Sequence, residues 1–205
     1  MKTRNGQINE IIKCGKDPVY FMNKYLKIQH PLKGLIPFNT FPFQDDCVSD
    51  FNDNRFNIIL KSRQLGLSTL VAAYAVWQAV FYKEKNILII ATKLAVAQNF
   101  IRKVKTYIKS MPKWLLVPVI TANNKQQVEF SNGSQIKAVP TSEDAGRSEA
   151  LSLLIVDEAA FVRNFDELWM GLYPTLSTGG RAILLSTPNG VGGQYHEIYT
   201  KAIRK

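Results

Sequence analysis

The sequence predicts an α/β fold with a mostly parallel sheet covered by helices on both faces. Two observations carry that reading. From Arg55 onward, short apolar runs alternate with stretches of helical periodicity, the order expected when crossover helices join parallel strands. One of those runs, Leu153-Leu154-Ile155-Val156, passes directly into Asp157-Glu158 and then Ala159-Ala160. A strand buried on both faces reads as unbroken apolar residues. Polar groups at its carboxyl end lie where open α/β sheets bind ligands.

The elements follow in order. Residues 1–54 are rich in Asn, Pro and aromatics, with weak periodicity, and Pro18, Pro31, Pro37 and Pro42 cut them into short pieces. Only 44–52 reads as a short helix, and the region is expected to form a small N-terminal lid subdomain. Residues 55–205 form the expected core. Phe56 to Leu60 is a short strand. Thr69 to Tyr82 is a helix, with Leu70, Val71, Ala73, Tyr74, Trp77 and Phe81 at helical spacing. Asn86 to Ala91 is a buried strand, and Leu94 to Met111 is a helix ending before Pro112. Gln127 to Ser131 and Gln135 to Val139 flank Asn132-Gly133, a hairpin signal. Leu151 to Val156 is the strand that carries the acids. A short helix over Asp166–Leu172, a strand over Arg181–Ser186 and a helix over Tyr195–Arg204 complete the chain.

The 205 residues suffice for one α/β domain with a real core, and 46% hydrophobic with 20% charged residues is ordinary for a globular protein. No apolar run reaches the roughly 18 residues that span a bilayer. Met1 to Lys16 is polar and basic, so no secretory leader and no membrane association are expected. Cys14 and Cys47 make neither a disulfide framework nor a metal-ligand spacing, and a reducing cytosol is the simplest compartment. The formal charge of +10 favours a polyanionic partner, nucleic acid above all. Arg102, Lys103, Lys105 and Lys109 fall within one predicted helix. His30 and His196 are isolated, and Trp77, Phe100 and Tyr107 lie at core spacing.

Between the first core strand and its helix runs Lys61-Ser62-Arg63-Gln64-Leu65-Gly66-Leu67-Ser68-Thr69. A strand, a tight turn and a helix N-terminus are what phosphate binding needs, because the first helical amides face the anion. Gly66 allows close backbone approach. Ser68 stands where the phosphate loop G-x-x-x-x-G-K-S/T places its Mg²⁺-binding hydroxyl, and Asp157 stands where P-loop NTPases hold the same ion. Glu158 is the candidate for orienting the attacking water. Two positions depart from the pattern: Leu67 replaces the lysine and Lys61 replaces the first glycine. The missing cation is then Lys61, folding back along its flexible stem, or Arg63. Without the acid pair the same segment also reads as a plain strand-to-helix turn.

The combination resembles the ATPase half of large terminase subunits, the DNA-packaging motors of tailed bacteriophages, over roughly residues 18–200. Such ATPases carry a deviant loop of Ser-Arg-Gln-Leu-Gly type, with the lysine moved to its start in some members. They also carry an apolar strand ending in Asp-Glu and a coupling motif of Ser/Thr-Thr-Pro type, matched here by Ser186-Thr187-Pro188. The resemblance implies a P-loop NTPase of the RecA/ASCE-like kind that uses ATP and Mg²⁺. It implies that Thr187 senses the γ-phosphate, that Gln44 reads adenine from the N-terminal lid, and that Arg147 acts in trans on a neighbour's nucleotide. It also implies double-stranded DNA, a portal protein and a small terminase subunit as partners, a homo-oligomeric ring, and the host cytoplasm as location. The family's C-terminal nuclease domain is not expected within these residues, and neither is nuclease activity. A helicase-like translocase core and a nucleotide- or DNA-binding module without turnover are the competing readings.

Overall fold

The computed structural model describes residues 4–141 and 149–204. Seven strands form the central sheet. They are β3 (Phe56–Leu60), β4 (Asn86–Ala91), β5 (Ile120–Asn123), β6 (Gln127–Phe130), β7 (Gln135–Pro140), β8 (Leu153–Asp157) and β9 (Arg181–Ser186). Their spatial order is β3-β9-β8-β4-β7-β6-β5. The first five run parallel, and β6 and β5 add an antiparallel edge. Because β9 lies between β3 and β8, the segments that follow β3 and β8 flank the end of β9. That placement brings the glycine loop, the acid pair and Ser186-Thr187 to one edge of the sheet.

The central strands bury both faces by simple alternation. Ile87, Ile89, Ala91, Leu153, Ile155, Ile183 and Leu185 point to one layer, and Leu88, Ile90, Leu154, Val156, Ala182 and Leu184 point to the other. The first layer is packed by α4 (Leu67–Phe81) and α5 (Leu94–Ser110), the second by α6 (Phe165–Leu172) and α7 (Gly193–Ile203). Two 3-10 turns, Ala159–Phe161 and Tyr173–Leu176, lead into and out of α6. Helices therefore cover both faces, as the apolar runs required.

The N-terminal region holds more regular structure than its composition predicts: α1 (Arg4–Lys16), α2 (Pro18–Tyr25), a hairpin of β1 (Lys27–His30) with β2 (Gly34–Pro37), and α3 (Pro42–Asp53). The prolines that look like breakers are starters. Pro18 and Pro42 stand in the first turn of α2 and α3, where a helix N–H has no intrahelical acceptor to lose. Asp17 caps α2 by accepting from the Tyr20 N–H at 2.8 Å. Glu10 holds α1 in place by accepting from Tyr20, Lys24 and Tyr25, each at 2.7 Å. Cys14, Phe21, Met22, Val48 and Phe51 join the α4 and α5 layer, which leaves α4 buried along nearly its whole length. The short edge strand β5, with a register shift between Ile120 and Ala122, is too brief to show alternation in the sequence.

Ile155 lies in the middle of β8, fully buried between β4 and β9. Ile155→Ala is expected to lower unfolding free energy by about 2–5 kcal/mol, measured by denaturant titration, since neighbours on both sides are held by strand pairing.

Candidate active site

The loop after β3 is anchored at both ends. The Lys61 N–H donates to the Ser186 carbonyl at 2.9 Å, and the Thr69 and Leu70 N–H groups donate to the Gly66 carbonyl at 2.9 Å. Gly66 takes a left-handed conformation, φ +72°, as the cap of α4, and a Cβ there would meet Gln44 Nε2 at 2.9 Å. The reason for that crowding is a strut. Buried Gln44 donates from Nε2 to the Leu65 carbonyl at 2.9 Å, while its Oε1 accepts from the Phe41 N–H at 3.2 Å. Each end of its amide keeps one further hydrogen-bonding valence.

Five side chains meet above the loop. Leu67, at the usual lysine position, is buried in the core. Lys61 Nζ lies 2.6 Å from Glu158 Oε1, with only 7% of the lysine side chain exposed against 31% for the glutamate. Ser68 Oγ donates towards Asp157, 3.2 Å from Oδ1 and 3.1 Å from Oδ2. Glu158 Oε2 accepts from both the N–H and the hydroxyl of Thr187, each at 2.9 Å. Glu158 itself is left-handed, φ +53°, which turns its carboxylate across the end of β9. Ser186 Oγ fixes that turn by accepting from the Ala160 N–H at 3.1 Å.

The two adjacent acids differ in electrostatic environment. Burial pushes Asp157 above the ordinary carboxylate value, against the Lys61 charge and the Ser68 hydrogen bond, which pull it down. Burial opposes ionisation of Glu158 as well. There the hydrogen bonds from Lys61 and from Thr187, with the Lys61 charge, prevail and hold it below its usual value.

Of the residues singled out in the sequence, Lys61, Ser68, Asp157, Glu158 and Thr187 converge. Ser62, Arg63, Gln64 and Leu65 stay exposed on the outer side of the loop, and half-buried Thr69 accepts from the Tyr107 hydroxyl through its carbonyl at 3.0 Å. Arg147 lies outside the described residues. One side chain was missed as a site residue. Lys103 counted only as part of a basic helix, yet it lines a cavity of about 560 Å³ with Ser68, Thr69, Tyr107 and Asp157. Its signal was periodicity: Val96, Phe100, Lys103 and Tyr107 lie at the spacing of one helical face.

The donor set suits a hard cation held jointly with a polyphosphate. No cluster of three or more His, Cys, Asp or Glu occurs among the described residues, so an all-protein cage is not available. One hydroxyl beside one carboxylate is the protein's usual share of a Mg²⁺ site, where phosphate oxygens and water complete the octahedron. A glycine turn opening a helix, that hydroxyl–carboxylate pair and a second acid against the next strand end define a P-loop fold with a candidate nucleotide site.

Comparisons with known proteins narrow the class. Residues 58–205 match the family described as terminase large subunit, T4likevirus-type, N-terminal. The large terminase of bacteriophage HK97 is similar in structure, with a TM-score of 0.75 at 18% identity over 93% of this chain and 41% of that one. The large terminase ATPase domain of Thermus phage P74-26 gives a TM-score of 0.61 at 20% identity, covering 76% and 67%. A large terminase of a thermophilic bacteriophage in complex with ADP gives 0.56 at 16% identity, covering 75% and 39%. The chain belongs to the large terminase subunit family and corresponds to its N-terminal part. It spans 41% of the length of the HK97 protein.

The Lys61–Glu158 contact sets a pH dependence. Glu158 is held below its unfolded value, so the stability it contributes is complete above the ordinary glutamate range and is lost as pH falls through the depressed one. The gap in melting temperature between the protein and Lys61→Met is therefore expected to be widest near pH 7. It should narrow below about pH 4, which thermal melts across pH would show.

Proposed function

We propose that this chain is the ATPase of a viral DNA-packaging motor, hydrolysing Mg·ATP to drive double-stranded DNA into a procapsid. The observation that carries the reading is the meeting of Lys61, Glu158 and Thr187 beside the Ser68–Asp157 pair. Family membership and the ADP complex of a similar terminase support it. In this reading the amides at the start of α4 cradle the phosphates and Gln44 stiffens the loop beneath them. Ser68 and Asp157 would hold Mg²⁺, which neutralises charge developing on the transferring phosphoryl group. Lys61 turns from Glu158 to the phosphates when they arrive. Glu158, still oriented by Thr187, is then free to accept a hydrogen bond from the attacking water. Loss of the γ-phosphate returns Lys61 to Glu158, and the change is passed through Thr187 to Pro188 and the segment beyond β9.

The same reading gives residues 1–54 the lid on the adenine side and residues 55–205 the ATPase core. Gln44 offers its remaining donor and acceptor to the base, and Arg63 or Arg147 supplies a guanidinium to the phosphates. The +10 charge suits a duplex DNA partner. Assembly as a homo-oligomeric ring with a portal protein and a small terminase subunit, docked on a procapsid in the host cytoplasm, completes the proposal.

Glu158→Gln is expected to bind ATP within a few-fold of the parent while Mg²⁺-dependent phosphate release falls about a hundredfold or more. Unchanged turnover in that variant removes Glu158 from the chemistry. ATP binding without turnover in the parent under all conditions identifies a binding module instead. If Arg147 acts in trans, specific activity rises with protein concentration and this rise is absent in Arg147→Ala. A flat profile for both proteins excludes the trans role.

A further inference from the structure

The helix α5 carries four basic residues, and its geometry separates them. Lys109 is exposed, Lys105 donates to the Asn124 carbonyl at 2.7 Å, and the exposed Arg102 borders the cavity that Lys103 lines. Lys103 is less exposed than Arg102. Its ammonium lies over the Phe100 ring, 5.2 Å from the centroid, and it lines the same cavity as Ser68 and Asp157. Burial pulls the Lys103 ammonium down from its ordinary value, the Asp157 carboxylate pushes it back up, and the Lys61 charge lowers it again. Lys103 therefore senses both groups at the head of the loop.

A long lysine next to an aromatic ring ordinarily carries its charge out to water. Lys103 instead lines the cavity that Ser68 and the buried Asp157 also line. Among the described residues it forms no ion pair within 4 Å; the nearby ion pair joins Lys61 to Glu158. An ammonium partly withdrawn from water and outside any ion pair is costly unless an anion compensates it.

The local charge balance points to which anion. Lys61 and Glu158 cancel each other, and Asp157 leaves the site negative, which opposes a polyphosphate. The loop cannot correct this from its usual position, because Leu67 is core. Arg63 is exposed and makes no ion pair among the described residues. Lys103 brings positive charge to the Ser68–Asp157 side, and the exposed Arg102 lines the same cavity.

We propose that Lys103 is a polyphosphate-binding side chain, supplying from α5 the positive charge that the loop lacks at position 67. The proposal rests on reading the site as an ATP site. It gives that site two cations from opposite walls, Lys61 beside Glu158 and Lys103 beside Asp157. Lys103 acts most strongly where no metal ion shares the load, since a divalent cation at Ser68 and Asp157 neutralises the same phosphate oxygens.

The test is ATP binding by calorimetry to the full chain, with Mg²⁺ and with EDTA, together with inorganic tripolyphosphate as a base-free probe. Lys103→Met, which keeps the packing over Phe100, is expected to weaken ATP and tripolyphosphate at least tenfold in EDTA, with a smaller loss in Mg²⁺. Lys103→Arg should stay within threefold of the parent. Lys103→Gln carries the same expectation as Lys103→Met if the latter fails to fold. Binding of ATP by Lys103→Met within twofold of the parent in EDTA overturns the proposal. So does an equal loss in Lys103→Arg at an unchanged melting temperature, which would mark a packing role. A parent protein that binds no ATP in either buffer overturns the reading of the site itself, whereas normal parent binding with an indifferent Lys103 overturns this proposal alone.

Discussion

Lys61 and Glu158 stand in segments that follow strands β3 and β8, which never pair, and their side chains meet at 2.6 Å across the end of β9. The contact is possible because β9 is inserted between the two and ends level with β3, with Ser186 and Thr187 just beyond the partner of Asp157. Remove β9 from that place and the loop and the acid pair lie side by side with no third group between them. The glutamate is bound on one oxygen by the ammonium and on the other by Thr187, so any change at one partner is felt by the other. This is a hydrogen-bonded chain from the glycine loop to the segment after β9.

Neighbouring acids on one strand end would repel each other in an apolar setting. The fold separates them by backbone geometry. Asp157 is the last residue of β8 and stays with Ser68, while the left-handed turn at Glu158 swings the second carboxylate to Lys61 and Thr187. Burial acts on both, and the hydrogen-bond partners decide the outcome: Asp157 is raised and Glu158 is lowered. Asp157 is thereby the group that gains most from a cation, and Glu158 the group already poised as a charged acceptor.

The N-terminal region supports the site from below. Its helices share the α4 and α5 layer, and α3 delivers Gln44 to the back of the loop. The rule that proline breaks regular structure misreads this region, because Pro18 and Pro42 occupy first-turn positions where their missing N–H is no loss. Local composition records the presence of proline but not its position relative to a helix start, which depends on where the next apolar contacts fall.

The sequence by itself determined the α/β class, the strand and helix order from Phe56 onward apart from β5, and the presence of a glycine loop and an acid pair at strand ends. Those features are local: period-two and period-3.6 patterns and unbroken apolar runs follow from how side chains leave a strand or a helix. Their relative placement was decided only by the tertiary structure. Neither residue's surroundings are legible in the sequence: the fold buries Lys61 against Glu158 and leaves Arg63 exposed. That Gln44 braces the loop, and that Lys103 lines one cavity with Asp157, depend on contacts between residues far apart in the chain. Pattern in a sequence reports the face on which a residue lies; packing alone reports what that face meets.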